Sequence, residues 1–172
     1  PDGLLGDGKE FLQWYSQYMM PLGTAWLKDK HGYNEDEAAA AVKEHIRICY
    51  DVCHFAVSYE DHRYMIEQLR SLGIKTGRIQ ISAALKAAMP SDIAARKTLT
   101  DTFKQFDEPV YLHQVIAKCS DGNFIRYPDM PGAQADGQNP LVTEWRAHYH
   151  VPLFMENYGL LQSTRSDINE VL

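Results

Sequence analysis

The segment from Ile46 to Ser82 constrains this chain more than any other. It opens with Ile46-Arg47-Ile48-Cys49-Tyr50-Asp51-Val52-Cys53-His54, which reads as a short strand with polar groups gathered at its C-terminal end. Ser58, with Asp61 at the third position, then caps a helix in which Tyr64, Met65, Leu69 and Leu72 recur at helical spacing. Gly73 is placed as the left-handed residue that ends it, and Ile74 to Ser82 follows directly as a second strand. Strand, helix, glycine and strand make a βαβ unit, whose two strands must lie parallel in one sheet with a right-handed crossover.

The flanking segments extend the α/β pattern. Lys9 to Met20 reads as an amphipathic helix stopped by Pro21, and Asn34 to about Glu44 as a second helix with a capping box. Ser91 to Phe106 gives a further helix. Val110 to Cys119 alternates like a half-exposed strand, Asp121-Gly122-Asn123 signals a turn, and Phe124 to Tyr127 returns as a partner strand. Pro128 to Pro140, with three prolines and two glycines, reads as loop. Glu144 to Phe154 is extended with Trp145, Ala147, Tyr149 and Val151 on one face, and Ser163 to Leu172 begins a helix. The expectation is an α/β fold: the later βα units of a partial (β/α)8 TIM barrel. Residues 1–172 would form a single domain-sized fragment, with 107–143 as an inserted hairpin and loop. An opening on Pro1 and a close within a helical pattern suggest a piece of a longer chain.

At the carboxyl edge of barrel strands lie active sites, which draws attention to Asp51 and His54. A carboxylate and an imidazole three positions apart can serve a divalent metal such as Mn, Mg or Zn. Gln80, near the end of the next strand, is a hydrogen-bonding group for the same mouth. His148 and His150 project from one face of an extended segment, with Arg146 on that face, forming a row that suits an anionic or polyhydroxyl ligand or a metal. His113 reads as structural, and His31, His45 and His62 as surface residues. Cys49 and Cys53 read as buried thiols, since their spacing matches no zinc motif with a second pair.

Composition narrows the functions. A net charge of −6 argues against nucleic acid as a partner. No apolar run is long enough to span a bilayer, and no basic segment leads into an apolar one at the N-terminus. With an odd cysteine count of three, a reducing, cytoplasmic setting is expected rather than a disulfide framework. No phosphate loop, nucleophile elbow or Cys-His dyad is readable.

Three separated segments carry a resemblance: Cys49-Tyr50-Asp51-Val52-Cys53-His54, Tyr111-Leu112-His113-Gln114-Val115, and Trp145 through Pro152. Together they resemble the EboE-type metabolite traffic family of the xylose-isomerase-like barrels, a superfamily that also holds sugar isomerases, epimerases and endonuclease IV-type repair enzymes. The resemblance implies a protein that binds or processes a small polar or sugar-like metabolite for export. The alternative is a divalent-metal sugar or sugar-phosphate isomerase or epimerase. It implies metal ligation by Asp51 and His54, and substrate contacts from His54, Gln80, Arg146, His148 and His150. Further metal-binding carboxylates would lie outside the fragment, so the metal site is incomplete in this chain. Gln80 stands where the superfamily usually has histidine. An incomplete barrel would expose sheet edges and form a homo-oligomer or domain swap to cover them.

Overall fold

The computed structural model describes residues 5–106 and 113–172. The chain divides into two units, residues up to Asp51 with Glu60–Gln80, and Val52–Tyr59 with Ile81–Leu172.

The first unit begins with helix α1 (Gly8–Trp14), capped by the Asp7 side chain accepting from the Glu10 N–H at 2.9 Å. The helix does not stop at Pro21. It widens into a π-turn at Tyr15–Met19 and continues as α2 (Met20–His31), with Pro21 in the first turn of that segment. The wider turn supplies a fresh helix start, where a missing proline N–H costs nothing. Gly32, at φ 70°, closes α2. Helix α3 (Glu35–His45) carries the expected capping box between Asn34 and Glu37.

Strand β1 (Ile48–Asp51) and strand β2 (Thr76–Gln80) pair in parallel, as the βαβ reading requires, and Asp51 stands opposite Gln80. Helix α5 (His62–Ser71) lies between them in sequence and is capped by Asp61, whose carboxylate accepts from the Tyr64 N–H, and not by Ser58 as expected. It buries Met65 and Leu69. His62, expected at the surface, is only 2% exposed, and its Nδ1 meets the buried Tyr50 hydroxyl at 2.9 Å. Cys49 points the other way from Tyr50 and is exposed, contrary to the buried reading. Strand alternation decides both: the apolar neighbours hid which face Tyr50 would take.

Gly73 has φ +67°, and an added Cβ would lie 3.2 Å from the Lys43 Nζ. Holding an L-residue in that conformation costs about 1–2 kcal/mol. Gly73→Ala is therefore expected to lower the urea unfolding free energy by about that amount, and an unchanged midpoint would contradict the assignment.

In the second unit, α4 (Val52–Val57) follows β1 without a break. The strand expected through His54 thus ends at Asp51. Five of the six α4 residues are buried, and burial on all sides removes the alternation that marks a strand. A six-stranded sheet has the order β5-β4-β6-β3-β8-β7. Its strands are β3 (Leu85–Ala88), β4 (Val115–Cys119), β5 (Phe124–Tyr127), β6 (Val142–Ala147), β7 (Asn157–Tyr158) and β8 (Leu161–Ser163). Every pairing in it is antiparallel. The class is thus mixed α/β, and the described strands form small open sheets with no closed barrel.

The β4–β5 hairpin forms around Gly122, at φ 86°, with Asp121 accepting from the Asn123 N–H. Its β4 strand pairs with β6 as well. The expected beginning of that strand, Val110 to Leu112, and the first residues of the 107–143 insertion lie outside the described residues. The Pro/Gly-rich stretch read as loop contains α7 (Met130–Ala135), with Pro131 in its first turn, where proline is favourable.

Both faces of this sheet are covered. On one, Trp145 is fully buried and meets Phe103 of α6 (Ile93–Phe103) edge-on, ring centroids 5.6 Å apart. On the other, Cys53 and Val57 of α4 pack with Ala84 and Ile116. Beyond α6, the chain ends in α8 (Ile168–Val171).

A candidate metal centre in the second unit

Past β6 the backbone tightens into a turn at His148, where the Tyr149 N–H donates to the Ala147 carbonyl at 2.9 Å, and Tyr149 and Val151 turn inward at 7% and 8% exposure. Burial still alternates through the turn, so His148 and His150 come out on a common side, as expected. Backbone bonds fix this stretch: the His148 N–H donates to the Gln114 carbonyl at 2.8 Å, and the Val151 N–H to the Ala83 carbonyl at 3.1 Å. His113 stacks on Tyr149 at 4.1 Å between centroids, a structural placement that matches its reading.

The two imidazoles converge, with His148 Nε2 and His150 Nε2 3.1 Å apart. Two nitrogens held at about 2.0–2.1 Å by one tetrahedral zinc would stand about 3.3–3.4 Å from each other. The pair is therefore already near ligand spacing.

A third donor comes from α4. The Cys53 backbone N–H donates to Ser82 Oγ at 3.2 Å, and its thiol donates to the Tyr149 carbonyl at 3.4 Å, which aims Sγ at the histidine segment. Cys53, His148 and His150 bring one ligand atom each to within 4.8 Å of the others. A zinc-bound sulfur and nitrogen stand about 3.6 Å apart, so the thiol has at most about 1.2 Å to close. Sequence reasoning passed over Cys53 because its partners are remote in sequence. The readable signal was the His-x-His pair, which needs only one more soft donor.

His54, the next residue on α4, has its ring centroid 5.7 Å from that of His148. Arg146 does not join the row as a ligand group. Its guanidinium pairs with Glu144 at 2.8 Å and Asp167 at 3.7 Å, and donates to the Ala56 carbonyl at 2.8 Å. It also lies 4.0 Å from the centroid of the Tyr59 ring. Tyr59 holds a left-handed φ of 57°, and its phenol is pushed far above the usual range, by burial first and by nearby Glu144 second.

Asp51 and Gln80 belong to the first unit. As parallel partners they end their strands at the same edge, and the Gln80 amide donates to Asp51 Oδ2 at 2.9 Å. The expected residues thus fall into two groups: Asp51 with Gln80, and His54, Arg146, His148 and His150 in the second unit.

Elsewhere in the first unit a cleft of about 340 Å³ opens between α2 and α3, lined by Met20, Thr24 and Ala39 among others. Its charged residues, Lys28 and Glu35, are paired with each other. It offers little chemistry beside the thiol and imidazoles. No helix among the described residues is long and apolar enough to cross a membrane. No known protein family, curated protein or solved structure matches the chain.

Proposed function

We propose that the second unit is a zinc-class metal-binding module in a protein that binds or processes a small polar, sugar-like metabolite. One observation carries the reading: the donor atoms of Cys53, His148 and His150 converge within 4.8 Å. Thiolate and imidazole suit zinc, whereas Mg and Mn prefer carboxylate and carbonyl oxygens. Zinc is therefore the metal of choice among the three.

The metabolite comes from the resemblance to the EboE-type and xylose-isomerase-like proteins. The parallel β1–β2 pair, with Asp51 and Gln80 ending at one edge, supports a descent from barrel βα units. In that setting Asp51 and Gln80 form a separate group at the strand edge of the first unit, with Asp51 as its metal-binding carboxylate. Within the second unit, His54, His148 and His150 would face the metabolite, while Arg146 holds Glu144 and Asp167. The isomerase or epimerase alternative draws on Asp51 as a carboxylate base of the kind that can move a proton between adjacent carbons.

The test is metal uptake by the 172-residue chain, freed of metal and dialysed against zinc, magnesium and manganese. One zinc per chain is expected, with neither of the others retained. Retention of magnesium or manganese in preference to zinc, or of no metal, would sink the reading.

A further inference from the structure

Three protein donors leave a tetrahedral ion one position for an outside ligand, the arrangement of catalytic rather than structural zinc sites. We infer that this centre keeps that position open, with His54 beside it, and that it takes a small oxygen-donor ligand such as the hydroxyl–carbonyl group of a polar metabolite. The inference rests on the metal reading above.

The ring spacings carry the argument. His148 and His150 have centroids 5.2 Å apart. That is about the separation of two rings sharing one tetrahedral ion, each centroid roughly 3.2 Å from the metal. His54 and His148 are 5.7 Å apart and inclined at 58°. His54 therefore packs beside the His148 ring, yet it is not one of the three converging donors. The helix explains why. Successive residues point about 100° apart around the axis, so the backbone that aims Cys53 inward turns His54 aside.

The result is an ion bounded on one flank by an imidazole that a bound oxygen ligand can reach by a hydrogen bond. Access is open, because His150 is exposed and His148 and His54 are half-buried. Charge agrees with the ligand class. One thiolate against a dication leaves a single positive charge, enough for one anionic or strongly polarised oxygen. Arg146 adds no anchor for a large anion, since Glu144 and Asp167 already engage it.

The experiment loads the full chain with cobalt(II) and titrates acetohydroxamate, a bidentate oxygen donor, while following the visible and near-ultraviolet spectrum. The wild-type chain is expected to show a thiolate–cobalt band and visible bands that shift saturably with the hydroxamate. His54→Ala should hold one cobalt with affinity within about threefold of wild type, yet bind the hydroxamate about tenfold more weakly, the loss of one hydrogen bond. His54→Gln, which keeps a hydrogen-bonding group, should recover part of that loss and guards against a folding defect in the alanine variant.

Two outcomes would overturn the inference while leaving the metal reading intact. Cobalt bands that millimolar hydroxamate does not move would mean a closed centre. A cobalt affinity lowered by His54→Ala well beyond the roughly 100-fold that outer partners give would make His54 the fourth ligand. Wild-type chain that takes up no cobalt would remove both readings together.

Discussion

Cys53→Ala is expected to abolish the stabilisation that zinc gives this chain. A ligand that binds only the folded state adds about 4 kcal/mol when its free concentration is a thousand times its Kd. For a chain of this length that corresponds to a Tm higher by roughly 8–16 °C in zinc than in chelator. Cys53 is fully buried, so the alanine also loses some packing. That loss appears equally with and without metal, and the comparison of the two conditions within each variant cancels it. His150→Ala provides the matching test at an exposed position, where packing loss is small and the zinc increment should vanish all the same. Differential scanning calorimetry decides the matter: an increment that survives in either variant removes that residue from the metal group.

The reach of sequence reasoning follows from how far apart the interacting residues are. The β1–α5–β2 unit was legible because its signals are local. The cap signal lay three residues from where it acts, at Ser58 instead of Asp61, but Gly73 adopts the left-handed conformation that its position suggested, and the strands then have only one way to pair. The hairpin around Gly122 was legible for the same reason, as was the common face of His148 and His150. Strand β3 was not. Leu85-Lys86-Ala87-Ala88 has low strand propensity, and it extends because β6 and β8 pair with it on either side. Strands β7 and β8, of two and three residues, are too short to carry a pattern, so the antiparallel sheet they complete was hidden. Val52–Val57 looks like the rest of a strand and folds as a helix, because packing on all sides overrides local preference. That switch is also what gives Cys53 its aim. The ligand missed in the sequence and the helix missed in the sequence are therefore one omission, and the partly legible site was the His-x-His half of it.

Arg146→Met separates the structural role of this arginine from the ligand-binding role that its place in the row suggested. Methionine keeps an unbranched stem against Tyr59 and removes the charge, so packing changes little while the ion pairs and the bond to the Ala56 carbonyl are lost. Exposed ion pairs contribute about 0–1 kcal/mol, whereas stripping one partner from a buried pair costs about 3–5 kcal/mol. The Arg146 side chain is 19% exposed and those of Glu144 and Asp167 29% and 21%, nearer the buried limit. The expected loss is therefore about 2–3 kcal/mol, with a Tm lower by roughly 4–12 °C. Zinc stoichiometry should not change, because the guanidinium lies outside the group of converging donors. Urea unfolding and metal analysis of the same preparation give both numbers. A variant as stable as the wild type that binds acetohydroxamate on cobalt markedly more weakly would reverse the assignment. The guanidinium would then serve the ligand, and Glu144 and Asp167 would only hold it in place until the ligand arrives.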